Sequence, residues 1–295
     1  MTSRARRPLV AGNWKMNYDH IAAIRFMQDL ALRLDPADVA PVDVAVHPPF
    51  VDLRSVQTVI EDRGIPVVLG AQHCYHEDEG AFTGEISPLM LQSLGVTYVI
   101  VGHSERRRLF GMTDEDVKTT LGAVIRHAMT PVVCVGEDHE QREQGLTEEV
   151  LASQVTSAVE GLSEAQVANM VVAYEPIWAI GSGKTASPED AQDGCAHIRA
   201  VVSGVGAAGD KGAPSLRVLY GGSVTSETAL DLAAGPDVDG FLVGGASLRA
   251  AEFVAVVRAS TPPKSSSRTR SKGSGSQEAG SEGPEATETT EATDR

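Results

Sequence analysis

The sequence predicts a closed (β/α)8 barrel followed by a disordered C-terminal tail, and three observations carry that expectation. Short β-branched apolar runs alternate with segments of helical period about eight times over roughly 250 residues. The runs are continuous rather than alternating, which suits parallel strands buried on both faces beneath covering helices. Polar residues gather where the runs stop: Asn13, Lys15, His47, Gln72, His103, Glu137, Glu175, Ser223 and Gly244 lie at or just beyond the C-terminal ends. A closed ring would bring those ends to one mouth, whereas an open doubly wound sheet would spread them along a line.

The strand candidates, in order, begin at Leu9 (LVAG), Val42 (VDVAV), Val67 (VVLGA), Tyr98 (YVIVG), Pro131 (PVVCVG), Met170 (MVVAY), Leu216 (LRVLYGG) and Val238 (VDGFLVGG). Between them, residues 20–34, 51–63, 88–94, 114–129, 148–162, 188–202, 226–233 and 247–257 place apolar residues at helical spacing. Asp114 in TDEDV, and Ser187–Pro188 ahead of EDA, are helix-start signals. The barrel then occupies residues 8–259, after a flexible N-terminus of residues 1–7. Residues 260–295 are Ser, Thr, Gly, Pro and Glu with early basic residues. Such a segment buries too little apolar surface to offset its ordering entropy, and a solvated tail is favoured over an interaction arm.

Composition narrows the function classes. A net charge of −15 disfavours nonspecific binding to nucleic acid or an anionic membrane, and no apolar stretch reaches the length of a membrane span. A local field from backbone N–H groups and one lysine can still hold a phosphate. Cys74, Cys134 and Cys195 are odd in number and irregularly spaced, which predicts free thiols in a reducing, cytoplasmic compartment. MTSRARR is basic, but no apolar core of a secretory signal follows it.

Three motif-like stretches carry no function. Gly204–Gly209 spells a dinucleotide fingerprint, but it follows a helix and leads into a loop, so it reads as a helix-terminating loop. Gly183–Lys184–Thr185 resembles the end of a phosphate-binding P-loop, yet the required first glycine falls at Trp178. His73, Cys74, His76, Glu77, Asp78 and Glu79 lack paired zinc-site spacing and read as solvated loop residues, so no metal is expected.

Four segments are informative. In Asn13-Trp14-Lys15-Met16-Asn17 the lysine is a fixed cation at the mouth, although many loop lysines are only solvated. In Gly102-His103-Ser104-Glu105-Arg106-Arg107 the histidine ends a strand at the start of a helical turn. The positive helix N-terminus disfavours imidazolium there, and a neutral ring can donate to a developing oxyanion; the bland reading is a histidine that merely caps the strand. Tyr174 to Lys184 begins with Glu175, a carboxylate entering a partly apolar pocket, where desolvation raises its pKa and its basicity. The rest of that segment, with Pro176, Trp178, Ile180 and small residues, reads as a closing lid. The turns Gly221-Gly222-Ser223-Val224 and Gly244-Gly245-Ala246-Ser247 end the seventh and eighth strands, where barrels bind phosphate through backbone N–H groups. Any tight βα turn can use glycine, but two at these strands shift the balance toward phosphate.

NWKMN, VGHSERR, AYEPIWAIGSGKTAS, LYGGSV and GFLVGGASL, in this order and spacing, resemble the triosephosphate isomerase family across nearly the whole body. The resemblance implies a TIM barrel that interconverts dihydroxyacetone phosphate and D-glyceraldehyde 3-phosphate in glycolysis and gluconeogenesis, without cofactor or metal. Motif by motif, it implies that Asn13 and Lys15 bind substrate, that His103 is the electrophile and that Glu175 is the base. It implies that Gly181, Ser223, Gly244 and Gly245 hold phosphate and that Glu105 pairs with Lys15, with Ser104 a further supporting residue. Ile180 of the lid and Leu242 of the last strand are expected to press on Glu175 on closure. The long segment 72–85 exceeds an ordinary βα connection, and in the resembled family it enters a neighbouring subunit. A homodimer is therefore expected, with Thr83 against Asn13, Lys15 and His103 of the second copy. The lid reads IGSG where many relatives carry threonine, which keeps a hydroxyl. Two rivals predict different residues. Another sugar-phosphate barrel enzyme, such as an epimerase, would show metal ligands or another acid–base pair, and a noncatalytic scaffold would have lost Lys15, His103 or Glu175.

Overall fold

The computed structural model describes residues 6–180 and 186–261. Eight parallel strands close into a barrel in sequence order. They are β1 (Leu9–Asn13), β2 (Asp43–His47), β3 (Val68–Ala71), β4 (Tyr98–Val101), β5 (Thr130–Val135), β6 (Val171–Tyr174), β7 (Arg217–Tyr220) and β8 (Gly240–Val243). The ring shuts where Leu9 pairs with Asp43 on one side and with Gly240 on the other. The predicted strand starts fall within two residues of these.

The continuous apolar runs have a physical explanation in two concentric cores. Alternate residues, among them Leu9, Ala11, Ala45, Ile100, Val132, Cys134, Ala173, Leu219 and Leu242, fill the lumen. Their neighbours Val10, Val46, Val99, Val133, Val172, Val218 and Phe241 face outward into a second cluster with helix residues such as Phe26, Leu30, Leu121, Leu151, Ile198 and Phe253. The start signals act as expected. Thr113 forms a capping box with Asp116 on the helix Asp114–Arg126, and Ser187 forms one with Asp190 on the helix Pro188–Gly204, whose first residue is Pro188.

Short helices Pro36–Val39, Ser104–Phe110, His139–Glu143 and Glu164–Asn169 also occur, each too brief for a periodic pattern to reveal. One sequence expectation is corrected: Gly206–Gly212 is a helix, not part of a terminating loop. Its glycines serve close approach. A Cβ on Gly209 would lie 2.1 Å from the Val202 carbonyl oxygen, and one on Gly212 would lie 2.7 Å from the Val167 side chain. The preceding element is still a helix, so the dinucleotide fingerprint remains without its strand.

Both boundaries shift outward. Arg6 and Arg7, expected in the flexible N-terminus, are held at the end of the barrel remote from the mouth, by Asp239 at 2.7 Å and Asp43 at 2.5 Å. Ser260 is buried and its hydroxyl donates to the Val256 carbonyl at 2.9 Å, so the last helix carries one residue of the expected tail into the body. The rest of that tail from residue 262 lies outside the described residues.

Arg199 anchors the lower rim. It donates to Asp237 and Asp239, each at 2.7 Å, and to the carbonyls of Ala213 and Leu216. Asp239 is 6% exposed and also accepts from the Val218 N–H. Arg199→Met leaves buried acceptors without their cation and is expected to cost about 3 kcal/mol of stability. Thermal unfolding checks this: a Tm fall of about 6–12 °C is expected, with kcat/KM at 25 °C unchanged.

Candidate active site

The C-terminal ends of the strands surround a cleft of about 600 Å³. Asn13, Lys15, His103, Ser104, Glu105, Glu175, Ile180, Ser223, Gly244 and Gly245 line it. Of the other expected site residues, Gly181 lies outside the described residues, as do Ser182 to Thr185 of the lid segment. Leu242 lies just below the cleft in the lumen core: a Cβ built on Gly221 would sit 3.0 Å from Glu175 Cγ and 3.7 Å from Leu242 Cβ. Gly221 thus leaves open the space between the carboxylate stem and the apolar floor. Thr83 is not in this cleft; it is exposed on the segment after β3.

Glu175 follows β6 and is 2% exposed. One oxygen accepts from the Ser104 N–H at 2.9 Å and the other lies 3.0 Å from His103 Nε2. The desolvation expected from the sequence is present, and it meets opposing partners. Burial pushes the carboxyl up, while attraction to a protonated His103 ring, the hydrogen bonds from that ring and from the Ser104 N–H, and Lys15 together hold it below its ordinary value. His103 caps the helix Ser104–Phe110, and its Nδ1 accepts the Glu105 N–H at 3.1 Å. Burial lowers the proton affinity of the ring, while the Glu175 carboxylate raises it by more. A second ring proton would displace the Glu105 N–H from Nδ1, so the geometry favours the neutral ring with its proton on Nε2, directed at Glu175; in that state the ring acts on the carboxylate through a hydrogen bond and not as a cation.

Lys15 has a left-handed backbone, φ +53°. Its N–H donates to Asn13 Oδ1 at 3.0 Å, and Gln72 Nε2 donates to its carbonyl at 2.8 Å and to that of His47 at 2.9 Å. Two side chains from different strand ends therefore hold a conformation that a lysine rarely adopts. The Lys15 ammonium lies 2.8 Å from Glu105. Glu137, fully buried, accepts from Tyr174 OH at 3.1 Å and Trp178 Nε1 at 2.8 Å, which fastens the start of the lid segment.

Sequence reasoning missed Ile177, Arg108, Arg249, Glu252 and Thr225, which also line the cleft. Arg108 follows Ser104 by one helical turn, so periodicity would have found it had that helix been recognised. Arg249 gave no signal, because its place depends on where the turn after β8 ends.

His47 lies fully buried at the end of β2, its Nδ1 bonded to the Gly12 carbonyl at 3.2 Å. Burial pushes its pKa down to about 4, the carbonyl partly opposing. The unfolded chain therefore takes up a proton near pH 6.5 that the folded chain refuses until about pH 4. The stability contribution is full above pH 6.5 and drains as pH falls toward 4, by about 1.4 kcal/mol per unit. In denaturant titrations, His47→Asn is expected to flatten the stability slope between pH 6.5 and 4 by about that amount relative to the parent. An identical slope in the variant would show that His47 does not carry the effect.

A closed barrel with a carboxylate, an imidazole and a lysine around one mouth defines a (β/α)8-barrel enzyme of the acid–base kind. The family model described as triosephosphate isomerase matches residues 8–260. A triosephosphate isomerase of Nocardia farcinica is 49% identical over 249 residues, 84% of this chain and 95% of the relative. One of Carboxydothermus hydrogenoformans is 48% identical over 255 residues, 86% of this chain and 99% of the relative. The chain belongs to the triosephosphate isomerase family, and it is an isomerase.

Proposed function

We propose that this chain interconverts dihydroxyacetone phosphate and D-glyceraldehyde 3-phosphate through an enediolate, with Glu175 as the base. The observation that carries the assignment is the buried Glu175 carboxylate 3.0 Å from His103 Nε2 at the wall of a cleft that also holds Lys15. Glu175 releases the Ser104 N–H, takes the proton beside the carbonyl and returns it to the adjacent carbon. Neutral His103 and the Lys15 ammonium meet the charge that develops on the two oxygens, and the hydroxyl proton passes from one of those oxygens to the other beside the His103 ring, so that carbonyl and hydroxyl exchange places. Asn13, Gly181, Ser223, Gly244 and Gly245 bind the substrate, the glycine turns through backbone N–H groups at its phosphate. Binding at that end of the molecule then serves reaction at the other.

Ile180 and Leu242 press on the carboxylate as the lid closes, with Ser104 and Glu105 holding His103 and Lys15 in place. The working form is a cytoplasmic homodimer in which the segment after β3 reaches the second copy. Two features support the dimer. Thr83 and its neighbours Phe82 and Gly84 are exposed in the single chain. Near the base of the segment, His73 Nδ1 and Arg106 Nε are buried without a hydrogen-bond partner among the described residues.

Purified protein supplied with D-glyceraldehyde 3-phosphate, coupled to a dehydrogenase that consumes dihydroxyacetone phosphate, tests the function. Turnover in the presence of a metal chelator is expected, with solvent deuterium entering the product when the reaction runs in heavy water. Absence of turnover would remove the assignment.

A further inference from the structure

Tyr18 is a bulky residue at φ +74°, in the same loop as the left-handed Lys15. A tyrosine rarely holds that conformation unless its surroundings over-determine it, and such sites cluster where geometry serves function. Two sets of contacts hold it. Its ring meets Trp14 edge-on with centroids 5.3 Å apart and leans on Phe26 at 5.9 Å. Its hydroxyl donates to the Leu248 carbonyl, the last residue of the turn Gly245–Leu248. Burial raises the phenol above its ordinary value, Arg249 pulling the other way, so the hydroxyl remains a donor at neutral pH.

The two loops also meet at their other ends. A Cβ built on Gly244 would lie 3.8 Å from Lys15 Cε. The lysine loop therefore lies beside the start of the turn after β8 at Lys15 and is bonded to its end at Tyr18. Within the turn, the Ser247 N–H and hydroxyl both bond the Gly244 carbonyl, at 2.9 and 2.7 Å, so the turn moves as one piece.

We propose that Tyr18 is a positioning residue whose phenol braces the Lys15 loop against the Gly244–Leu248 turn, setting the spacing between the site's ammonium and its phosphate-binding N–H groups. The inference rests on the assignment of Lys15 and this turn to substrate binding. Loss of the hydroxyl lets the two loops drift apart while each keeps its own fold. Small errors in such spacing weaken binding of a rigid anion held by both.

Tyr18→Phe keeps the ring and removes only the brace. Calorimetry with inorganic phosphate and steady-state kinetics with D-glyceraldehyde 3-phosphate, both on the full chain, read the effect. The phosphate Kd and KM are expected to rise together by about three- to tenfold, the loss of one hydrogen bond, with kcat falling less than about twofold. Tm is expected to stay within about 4 °C. Tyr18→Gly relieves the backbone strain yet lacks the brace, and is expected to weaken phosphate binding at least as much. A lower Tm with unchanged phosphate affinity would assign Tyr18 to packing alone and overturn the proposal. Unchanged affinity in Tyr18→Gly would do the same. Calorimetry requires no turnover, so a parent chain that binds phosphate but does not isomerise would remove the catalytic assignment while the brace is still measured. A parent that binds no phosphate would remove the brace.

Discussion

Glu175→Asp is expected to lower kcat by on the order of 100-fold while changing KM by less than about threefold. The substitution keeps the charge and shortens the side chain by one methylene. Glu175 sits between the Ser104 N–H at 2.9 Å and His103 Nε2 at 3.0 Å, both donated from the strand end and helix after β4. Aspartate retracts from those donors and from the substrate carbon. Displacement of about 1 Å at a reacting group costs roughly 100-fold, because the near-attack geometry is lost while the phosphate grip is not. The split between kcat and KM is therefore the diagnostic quantity. Steady-state kinetics in both directions, with circular dichroism as a fold control, measures it. An unaltered kcat would dismiss Glu175 as the base.

If the proposed homodimer forms through the segment after β3, Thr83→Arg is expected to dissociate it and to lower activity by about 100-fold, since each mouth would then lose the neighbour proposed to position its lysine and histidine. Thr83 is exposed in the single chain, beside Phe82, which is 40% exposed and stacks on Tyr75 with centroids 4.7 Å apart. Other large apolar side chains stand in solvent, including Met16 next to Lys15 at 95% exposure and Phe110 at 68%. Arginine at the tip brings an unpaired charge into whatever pocket the tip fills, a cost of several kcal/mol for a desolvated cation. Sedimentation velocity should find monomers at micromolar concentration, with helical content by circular dichroism nearly that of the parent. A parent that sediments as a fully active monomer would refute the dimer, and a dimeric, active Thr83→Arg would refute the role of this segment.

Much of the candidate site was legible because its residues sit where an apolar run breaks. Lys15, His103, Glu175, Ser223 and Gly244 each follow a run that the lumen and the helices bury on both sides, and all five line one cleft. The eight strands were legible for the same reason: burial on two faces demands continuous apolar sequence, a local property that a window of a few residues displays. The helices at Ser104–Phe110 and Gly206–Gly212 were not, since one is too short to show a period and the other is built on glycines that matter only for what packs against them.

By itself, then, the sequence determined the alternating plan, the single mouth and the residue types around it, because each follows from whether neighbouring positions are buried. Only the tertiary structure decided how those groups behave toward one another. The ionisation of Glu175 is the clearest case. Its apolar strand predicts a raised pKa, but the partners that oppose the rise, His103 and the Ser104 N–H, lie some 71 residues away in the chain and arrive only when the barrel closes. Arg249 at the rim and the Tyr18 hydroxyl on Leu248 belong to the same class. The physical reason is one of range. Burial is written in local periodicity, whereas a hydrogen bond depends on two atoms meeting within about 3 Å at a set angle, which no stretch of chain specifies until closure of the ring places both ends.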